Sequence, residues 1–278
     1  MTTAGAIAEA VAVGVLPGRV WLYSNYHCNL ACTYCLTDSA PGVPRRALPA
    51  DHMLALAEEA RDLGFTALGV TGGEPFLVSN MAEVLARLAE LLPVVVLSNG
   101  TLFRGRRLEW LRPLAGLPVK IQISLDHAEP EPNDAARGEG CHATVLSAIT
   151  RLRELGIGVR VATTGDEATD ADRERLCALH RELGIGDEDH VVRPVVRRGR
   201  AAEAGLGRAV GPSDLPPELT ITADGAFWSP FGPTVQGGRL DTDLLLTRTT
   251  LPLATPAGAL LRLVEGRPRG ADAGMGIR

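Results

Sequence analysis

Six short apolar runs alternate with longer helical patterns over the first 200 residues, and this alternation limits the possible folds more than any other feature. Each run is β-branched or aliphatic and has the length of a strand; the runs are 19–24, 67–71, 93–98, 119–125, 158–164 and 190–196. The helical period predicts helices between them, at about 50–63, 79–92, 104–112, 141–155 and 170–183. Strands joined by helical crossovers are parallel, with the helices outside. The sequence therefore predicts an α/β fold, an incomplete (β/α)6 barrel of the TIM type with a small C-terminal hairpin and helix appendage.

The alternating pattern stops near residue 200, and this divides the sequence into regions. We expect an N-terminal extension, a partial barrel, a C-terminal appendage and a disordered tail rich in Gly and Arg, with the bounds 1–17, 18–200, 201–265 and 266–278. Within the appendage, residues 201–216 are rich in Ala, Gly and Pro and predict a linker. Residues 218–230 predict a hairpin that turns at Asp224-Gly225. The apolar segment 255–265 favours a last helix.

Composition and charge exclude several classes of protein. The 278 residues are 45% apolar and carry a formal net charge of −5, so they can fill a core and offer no basic surface to nucleic acid. The sequence contains no secretion signal and no apolar run of membrane-spanning length. We therefore expect a cytoplasmic protein with neither a nucleic-acid nor a membrane partner. Five cysteines, three of them within eight residues, make a disulfide framework improbable.

Three cysteines lie close together shortly after the first predicted strand. Cys28, Cys32 and Cys35 have the spacing C-x3-C-x2-C. Three thiolates on one loop can hold three irons of a four-iron cluster and leave the fourth iron open, which is typical of a reactive metal site. A structural zinc site that takes His27 as its fourth ligand is the alternative, although no second C-x2-C follows. The spacing by itself leaves both open.

Polar residues and glycines lie at the ends of the later strands, where a barrel of this type displays its functional loops. The second strand is followed by Gly72-Gly73-Glu74-Pro75, whose glycines let a ligand approach the backbone and whose carboxylate suits an ammonium group. Further candidates for ligand binding are Ser98, Asn99, Gln122, Ser124, Asp126, Thr163 and Arg193. Among them Gln122, Ser124 and Asp126 alternate along one strand and so share a face. For each of these residues, the alternative is that its polar side chain only forms hydrogen bonds with backbone groups at the end of a strand.

Together these segments resemble the radical S-adenosylmethionine superfamily, and over roughly residues 18–235 they are most similar to its SPASM and twitch group. The segments 133–138 and 193–200 add to this likeness. The resemblance implies one [4Fe-4S] cluster on the three cysteines, with S-adenosylmethionine chelated to the open iron through its amino and carboxylate groups. It also implies that an external electron donor, such as flavodoxin or ferredoxin, reduces the cluster.

The resemblance further implies how the cofactor is held. Tyr34, just before the third cysteine, corresponds to the aromatic residue that lies against the adenine in this superfamily. The stretch Gly72–Pro75 corresponds to the segment that contacts the methionine amino group. Gln122, Ser124 and Asp126 are then expected to reach the ribose and the methionine portion, and Arg193 is expected to bind a carboxylate of the cofactor or the substrate.

The chain departs from the SPASM and twitch group because no cysteine occurs from residue 178 onward. Auxiliary iron–sulfur clusters would therefore lack ligands, and we expect a single cluster. Cys141 begins a predicted helix, whose N-terminus would lower its pKa, so Cys141 is a candidate thiol hydrogen donor. Cys177 lies among apolar neighbours and is expected to pack in the core. Trp228 and Phe231 lie either near the substrate or within the core of the appendage.

These expectations predict an oxidoreductase that uses a 5′-deoxyadenosyl radical to abstract hydrogen from an unactivated carbon. The resemblance favours natural-product biosynthesis and modification of a ribosomal peptide. Because only about 18 residues precede the first strand and no leader-binding domain is evident, a small molecule is the alternative substrate. Epimerisation, dehydrogenation or rearrangement of a sugar, nucleoside or amino acid would then be the reaction. The alternative from another class is a non-catalytic zinc or iron–sulfur binding module.

Overall fold

A twisted parallel sheet forms the centre of the molecule in the computed structural model, which describes residues 2–165, 170–236 and 238–266. Its first six strands are β1 (Arg19–Tyr23), β2 (Ala67–Thr71), β3 (Val94–Ser98), β4 (Val119–Ser124), β5 (Gly158–Thr164) and β6 (His190–Arg193). They lie side by side in sequence order, and every neighbouring pair is parallel. Within the described residues, β6 forms one edge of the sheet. The prediction of an α/β incomplete barrel is confirmed.

The predicted hairpin is present, and it belongs to the main sheet. Its strands are β7 (Thr220–Thr222) and β8 (Gly225–Phe227), which turn at Asp224-Gly225 as predicted. β7 pairs in parallel with β1, and β8 continues the sheet to an antiparallel strand, β11 (Leu245–Thr247). The sequence expectation had placed this hairpin in an appendage, but β7 is fully buried and completes the second side of β1. A separate small sheet consists of β9 (Val235–Gln236) and β10 (Arg239–Leu240).

Helices cover the outer face of this sheet. Those of the described residues are α1 (Thr3–Ala12), α2 (Ala50–Asp62), α3 (Met81–Leu91), α4 (Arg106–Glu109), α5 (Pro130–Arg137), α6 (Cys141–Glu154), α7 (Asp170–Glu182), α8 (Arg200–Glu203) and α9 (Ala254–Glu265). Three-residue 3₁₀ turns lie at Pro75–Leu77, Arg112–Leu114, Asp187–Asp189 and Pro212–Asp214. α5 was not predicted; it begins at Pro130, and proline is compatible with the first turn of a helix. α4 is shorter than predicted.

The two faces of the strands pack differently. Val20 and Leu22 of β1 belong to the main hydrophobic core, which lies between the sheet and the helices. Trp21 points the other way and packs with Val95 of β3 in a smaller cluster. Because side chains alternate along a strand, this register separates the helix-facing rows from the rows that face the interior of the barrel. Arg19, Trp21 and Tyr23 share the interior face.

The first and last helices of the described residues meet, since α1 packs against α9. The predicted last helix is present as α9, and the N-terminal extension contains α1. None of the helices in the described ranges combines the length and the apolar character that crossing a membrane requires. The tail predicted to be disordered lies, beyond Gly266, outside the described residues.

Candidate functional site

The three closely spaced cysteines lie on the loop that follows β1, at the carboxyl edge of the sheet. Cys28, Cys32 and Cys35 all line one cavity of about 210 Å³. A turn joins the last two, since the backbone N–H of Cys35 donates to the carbonyl oxygen of Cys32 at 3.2 Å. All five cysteines are free thiols. One concave surface thus presents three thiol groups.

The glycine pair after β2 packs directly against this cysteine loop. The N–H of Gly73 donates to the carbonyl oxygen of Asn25 at 2.8 Å, and the N–H of Glu74 donates to that of His27 at 3.0 Å. A Cβ added at Gly73 would lie 2.1 Å from the carbonyl oxygen of His27. Gly72 has a φ of +151°, and a Cβ there would lie 2.6 Å from the carbonyl oxygen of Asn25. Only glycine allows the two backbones this close approach.

A second anchor comes from the segment that follows β6. The backbone N–H of Arg200 donates to the carbonyl oxygen of Cys35 at 2.9 Å, and its guanidinium donates to the carbonyl oxygens of Cys32 at 2.8 Å and Ser39 at 3.0 Å. The same guanidinium pairs with Asp38 at 2.7 Å. Gly199 has a φ of +55° and approaches the backbone of Leu36 too closely for a Cβ. The cysteine loop is therefore held between the ends of β2 and β6.

The thiol of Cys28 receives hydrogen bonds from the neighbouring loop. Its Sγ accepts from the N–H of Leu30 at 3.4 Å and from Nδ2 of Asn99 at 3.6 Å. Burial and the nearby carboxylate of Glu74 raise the pKa of Cys28 to about 12, so without metal the thiol keeps its proton. Metal ligation requires the thiolate, and iron binding at this position would release that proton.

Glu74 lies behind the cavity wall, in a fully buried position. Its carboxylate accepts hydrogen bonds from the hydroxyl of Ser98 at 2.9 Å, the N–H of Asn99 at 2.8 Å and the N–H of Phe76 at 3.1 Å. Burial raises the pKa of Glu74 to about 7. From the sequence, the carboxylate of Glu74 was expected to meet an ammonium group. In the structure it connects the end of β2 to the end of β3.

Tyr34, Asp126 and Arg137 form a buried polar network beside the cysteine loop. The hydroxyl of Tyr34 donates to the Asp126 carboxylate and accepts from the Arg137 guanidinium, and Arg137 pairs with Asp126 at 3.3 Å. The other Asp126 oxygen accepts from the N–H of Thr164 at 2.9 Å. α5 supplies Arg137, and the end of β4 supplies Asp126, so the network fixes the ring of Tyr34 at the cavity.

The structure brings most of the predicted site residues together. Of the described residues, those predicted and lining the cavity are Cys28, Cys32, Cys35, Tyr34, Gly72, Gly73, Ser98, Asn99, Ser124 and Arg193. Four predicted residues lie behind its wall instead; they are Glu74, Pro75, Gln122 and Asp126. Two further residues that line the cavity, Thr164 and Arg137, were not among the predicted site residues. Phe231 lines the cavity, whereas Trp228 is buried in the main core.

The structure does not bring Thr163 to the cavity that most of the other predicted residues line. Its side chain faces the helix side of the sheet, where its hydroxyl donates to the carbonyl oxygen of Leu125 at 2.8 Å and contacts Nε2 of His190 at 3.0 Å. Thr164, one residue further, faces the cavity. A shift of one residue along a strand reverses the face, so Thr164, and not Thr163, shares the interior face with Arg160.

The expectation for Cys141 also needs correction. Cys141 is buried, its Sγ contacts the carbonyl oxygen of Arg137 at 3.6 Å, and it does not line the cavity within the described part of the chain. Burial raises the pKa of this thiol, and this outweighs the lowering by Arg137. The expected lowering of this pKa by the helix N-terminus is therefore not found. Cys177 is half-buried and lies 3.9 Å from Nδ1 of His190.

The donor set suits an iron–sulfur cluster. In the described ranges, no three His, Cys, Asp or Glu side chains converge as a single metal ion would require. A four-iron cluster needs no such convergence, because each thiolate binds a different iron. The Gly72-Gly73 backbone and the hydroxyl of Ser98 on the same cavity provide polar groups for a small cofactor.

Comparison with known proteins decides the family. The family model described as the radical SAM superfamily matches residues 22–180. The chain belongs to the radical SAM superfamily. As a member, it has a [4Fe-4S] cluster and S-adenosylmethionine as its cofactors, and the zinc module considered from the sequence is wrong.

The matches to individual proteins cover only part of the chain and part of each protein. The chain is 32% identical to the antilisterial bacteriocin subtilosin biosynthesis protein AlbA of Bacillus subtilis, over 58% of the chain and 36% of AlbA. It is 28% identical to GTP 3′,8-cyclase 2 of Pseudomonas aeruginosa, over 67% of the chain and 63% of that enzyme. It thus spans less than two thirds of the length of these relatives. The crystal structure of Streptococcus suis SuiB bound to S-adenosylmethionine shares the fold, with a TM-score of 0.57 and 20% identity over 68% of the chain and 43% of SuiB.

Proposed function

We propose that this chain is a radical S-adenosylmethionine enzyme whose cluster is held by Cys28, Cys32 and Cys35. The observation that carries the proposal is the shared cavity, which the three thiols line together with Gly72 and Gly73. When bound, the cluster and S-adenosylmethionine supply a 5′-deoxyadenosyl radical that abstracts hydrogen from the substrate. The protein supplies position and the exclusion of water.

The residues on the cavity surface have distinct proposed roles. Tyr34, fixed by Asp126 and Arg137, presents its ring to the adenine. The backbone of Gly72 and Gly73 receives the methionine portion of the cofactor, and Ser98, Asn99 and Ser124 bind its ribose and carboxylate. Arg193 offers its guanidinium to a carboxylate at the same cavity. Glu74, Pro75 and Gln122 lie behind this surface and act as positioning residues, with Glu74 orienting Ser98 and Asn99. The apolar side chains of Leu36, Val195 and Phe231 keep water from the reacting atoms.

The substrate class we propose is a peptide, modified in natural-product biosynthesis. Support comes from the names of two relatives, the subtilosin biosynthesis protein AlbA and the sporulation killing factor maturation protein SkfB, both of Bacillus subtilis. A small-molecule substrate is the second candidate, because the alignment with GTP 3′,8-cyclase 2 covers more of the chain. We also propose that the chain acts in the cytoplasm, with a flavodoxin or ferredoxin as electron donor and with no nucleic-acid partner.

Anaerobic reconstitution tests the cofactor part of this proposal. The purified chain is expected to bind about four irons per molecule. With dithionite and S-adenosylmethionine it is expected to form 5′-deoxyadenosine, measured by mass spectrometry. The triple variant Cys28→Ala, Cys32→Ala, Cys35→Ala should lose both, whereas Cys177→Ala, which removes a thiol outside the cavity, should keep both. Bound iron in the triple variant, or no cofactor cleavage by the wild type, would contradict the proposal.

Deuterium transfer tests the substrate class. Candidate precursor peptides encoded by neighbouring genes, synthesised with perdeuterated residues, should pass deuterium into 5′-deoxyadenosine. Transfer from a nucleotide, sugar or free amino acid, with none from the peptides, would favour the small-molecule alternative.

A further inference from the structure

Polar side chains occupy the interior of the barrel below the cavity. Gln122 of β4 is paired with Arg160 of β5, and Thr164 of β5 is paired with Arg193 of β6. Arg160 and Thr164 are four residues apart in one strand, so they share a face. Since Thr164 and Arg193 line the cavity, Arg160 and Gln122 lie on the same interior face, nearer the amino ends of the strands, where Arg160 also lines a second pocket with Arg19 and Lys120.

Several polar atoms of this layer are buried with no hydrogen-bond partner within the described residues. They are Nε and Nη2 of Arg193, Nε of Arg160 and Oε1 of Gln122. Arg160 is 8% exposed and Gln122 is 2% exposed. Nε and Nη2 lie on the same edge of a guanidinium, and this edge forms the two parallel hydrogen bonds of a bidentate contact with a carboxylate or phosphate. Arg193 therefore has a complete fork for an oxyanion at the cavity.

Positive charge exceeds negative charge around this fork. Burial, and then the neighbouring Arg160, lowers the pKa of Arg193 to about 10, with a further contribution from Arg19. The carboxylate that faces Arg193 is Glu218, which also accepts a hydrogen bond from Nε1 of Trp21. Asp189 faces Arg160 but is paired with Lys120 at 2.6 Å. Buried cations are costly unless an anion compensates them.

We propose that Arg193 and Arg160 form a binding site for an oxyanion of the substrate, a carboxylate or phosphate group that enters the barrel through the cavity. This inference deepens the proposed function, on which it rests, by giving the substrate a required charged group. The methionine carboxylate of S-adenosylmethionine is the other source of the same chemistry. The depth of Arg160, one layer below the residues that line the cavity, favours the substrate.

Isothermal titration calorimetry on the reconstituted holoenzyme tests the site. The probes are glutarate and inorganic phosphate, each titrated in chloride-free buffer without S-adenosylmethionine and again with S-adenosylmethionine at saturation. The wild type is expected to bind at least one probe. Arg193→Gln and Arg160→Gln should each weaken that binding by about tenfold or more, as expected for a lost charge-assisted contact. Arg193→Lys keeps the charge without the fork and should also bind more weakly. Arg87→Gln, at an exposed position of α3, should bind like the wild type.

Three results would overturn the inference. One is binding that is unchanged in Arg160→Gln and Arg193→Gln. Another is loss of probe binding when S-adenosylmethionine saturates the enzyme, which would assign the fork to the cofactor carboxylate. The third is equal binding of chloride, which would show a halide site. Arg160→Gln removes a buried charge, so its thermal midpoint in anion-free buffer should not fall, and this variant keeps the test available if Arg193→Gln does not fold.

The test is separate from that of the proposed function. Reductive formation of 5′-deoxyadenosine by the wild type, measured on the same preparation, reports on the radical chemistry. Cofactor cleavage without oxyanion binding would refute only the present inference. Oxyanion binding without cofactor cleavage would refute the proposed function.

Discussion

Arg200 and Cys32 are 168 positions apart in the sequence, and Nη1 of Arg200 donates a 2.8 Å hydrogen bond to the carbonyl oxygen of Cys32. The backbone N–H of Arg200 also binds the carbonyl oxygen of Cys35. These two bonds hold the backbone of the loop at two of its three cysteines. The segment after the sixth strand thus fixes the cysteine loop, which follows the first.

Arg200→Gln is expected to loosen the cysteine loop. The side chain loses two charge-assisted bonds to carbonyl oxygens and an ion pair with Asp38, which should lower the free energy of unfolding by about 2 kcal/mol. Urea unfolding and the iron retained after anaerobic gel filtration are the measurements. Arg197→Gln is the matched control, because that guanidinium binds the carbonyl oxygen of Gly207 instead. Equal iron retention by both variants would show that Arg200 does not position the loop.

Gly73→Ala is expected to displace the same loop from the other side. The new methyl group would lie 2.1 Å from the carbonyl oxygen of His27, a backbone atom that moves only with the loop. We expect a loss of about 1–3 kcal/mol in unfolding free energy, together with reduced iron binding. Gly42→Ala is the control, because no atom lies within 4 Å of a Cβ there. If the two variants bind iron equally, the close approach at Gly73 is unimportant.

Glu74 should make stability depend on pH in a defined direction. Its pKa is raised by burial from 4.5 to about 7, so the folded state holds this proton after the unfolded state has lost it. The resulting stabilisation is complete below about pH 4.5 and is lost as the pH rises through about 7; it amounts to about 3 kcal/mol. The free energy of unfolding of the wild type should therefore fall between pH 5 and pH 8 relative to that of Glu74→Gln, which does not titrate at this position. Both are measured on the metal-free protein. A difference that does not change with pH would refute the assignment.

Asp126 and Arg137 should be coupled in stability. Their side chains are 8% and 4% exposed, so removing one partner leaves the other charge buried. Asp126→Asn and Arg137→Met are each expected to cost about 3–5 kcal/mol. The double variant should cost clearly less than the sum of the two, and urea unfolding of all four proteins measures this coupling. Additive losses would mean that the pair contributes no coupling energy.

Neighbouring threonines on β5 should respond differently to substitution. Thr163→Val removes a hydrogen bond to the carbonyl oxygen of Leu125 and should cost about 1 kcal/mol of stability, with the affinity for S-adenosylmethionine unchanged. Thr164→Leu adds bulk at the cavity surface and should weaken cofactor binding with little effect on stability. Calorimetric titration and thermal unfolding separate the two effects. The reverse pattern would show that the cavity-facing residue is Thr163.

Local patterns predicted much of this molecule. The six parallel strands begin and end within about three residues of their predicted bounds, because apolar runs and terminal glycines are short-range signals. The cysteine spacing and the Gly72-Gly73 pair predicted the two walls of the site for the same reason. Alternation also placed Gln122 and Ser124 on one face, as the strand register requires.

Long-range packing accounts for what the sequence did not predict. In Val161-Ala162-Thr163-Thr164 both faces of the strand are compatible with the pattern, so the face of Thr163 followed only from its packing against His190. The pairing of β7 with β1 joins segments about 200 residues apart. Arg160 is the one charged residue of β5, and its local sequence gave no signal of the neighbouring Arg193 in the barrel interior.

The anchoring of the cysteine loop by Arg200 also bears on how the protein is made. A ribosome must synthesise the chain past residue 200, and the sixth strand must join the sheet, before the carbonyl oxygens of Cys32 and Cys35 can be bound. Closing so long a segment is costly in entropy, and the cost is repaid only once the intervening strands have paired. Iron delivered to the nascent chain would meet a loop that lacks its anchor on the side of the sixth strand. Maturation of the metal centre is thereby coupled to completion of the barrel.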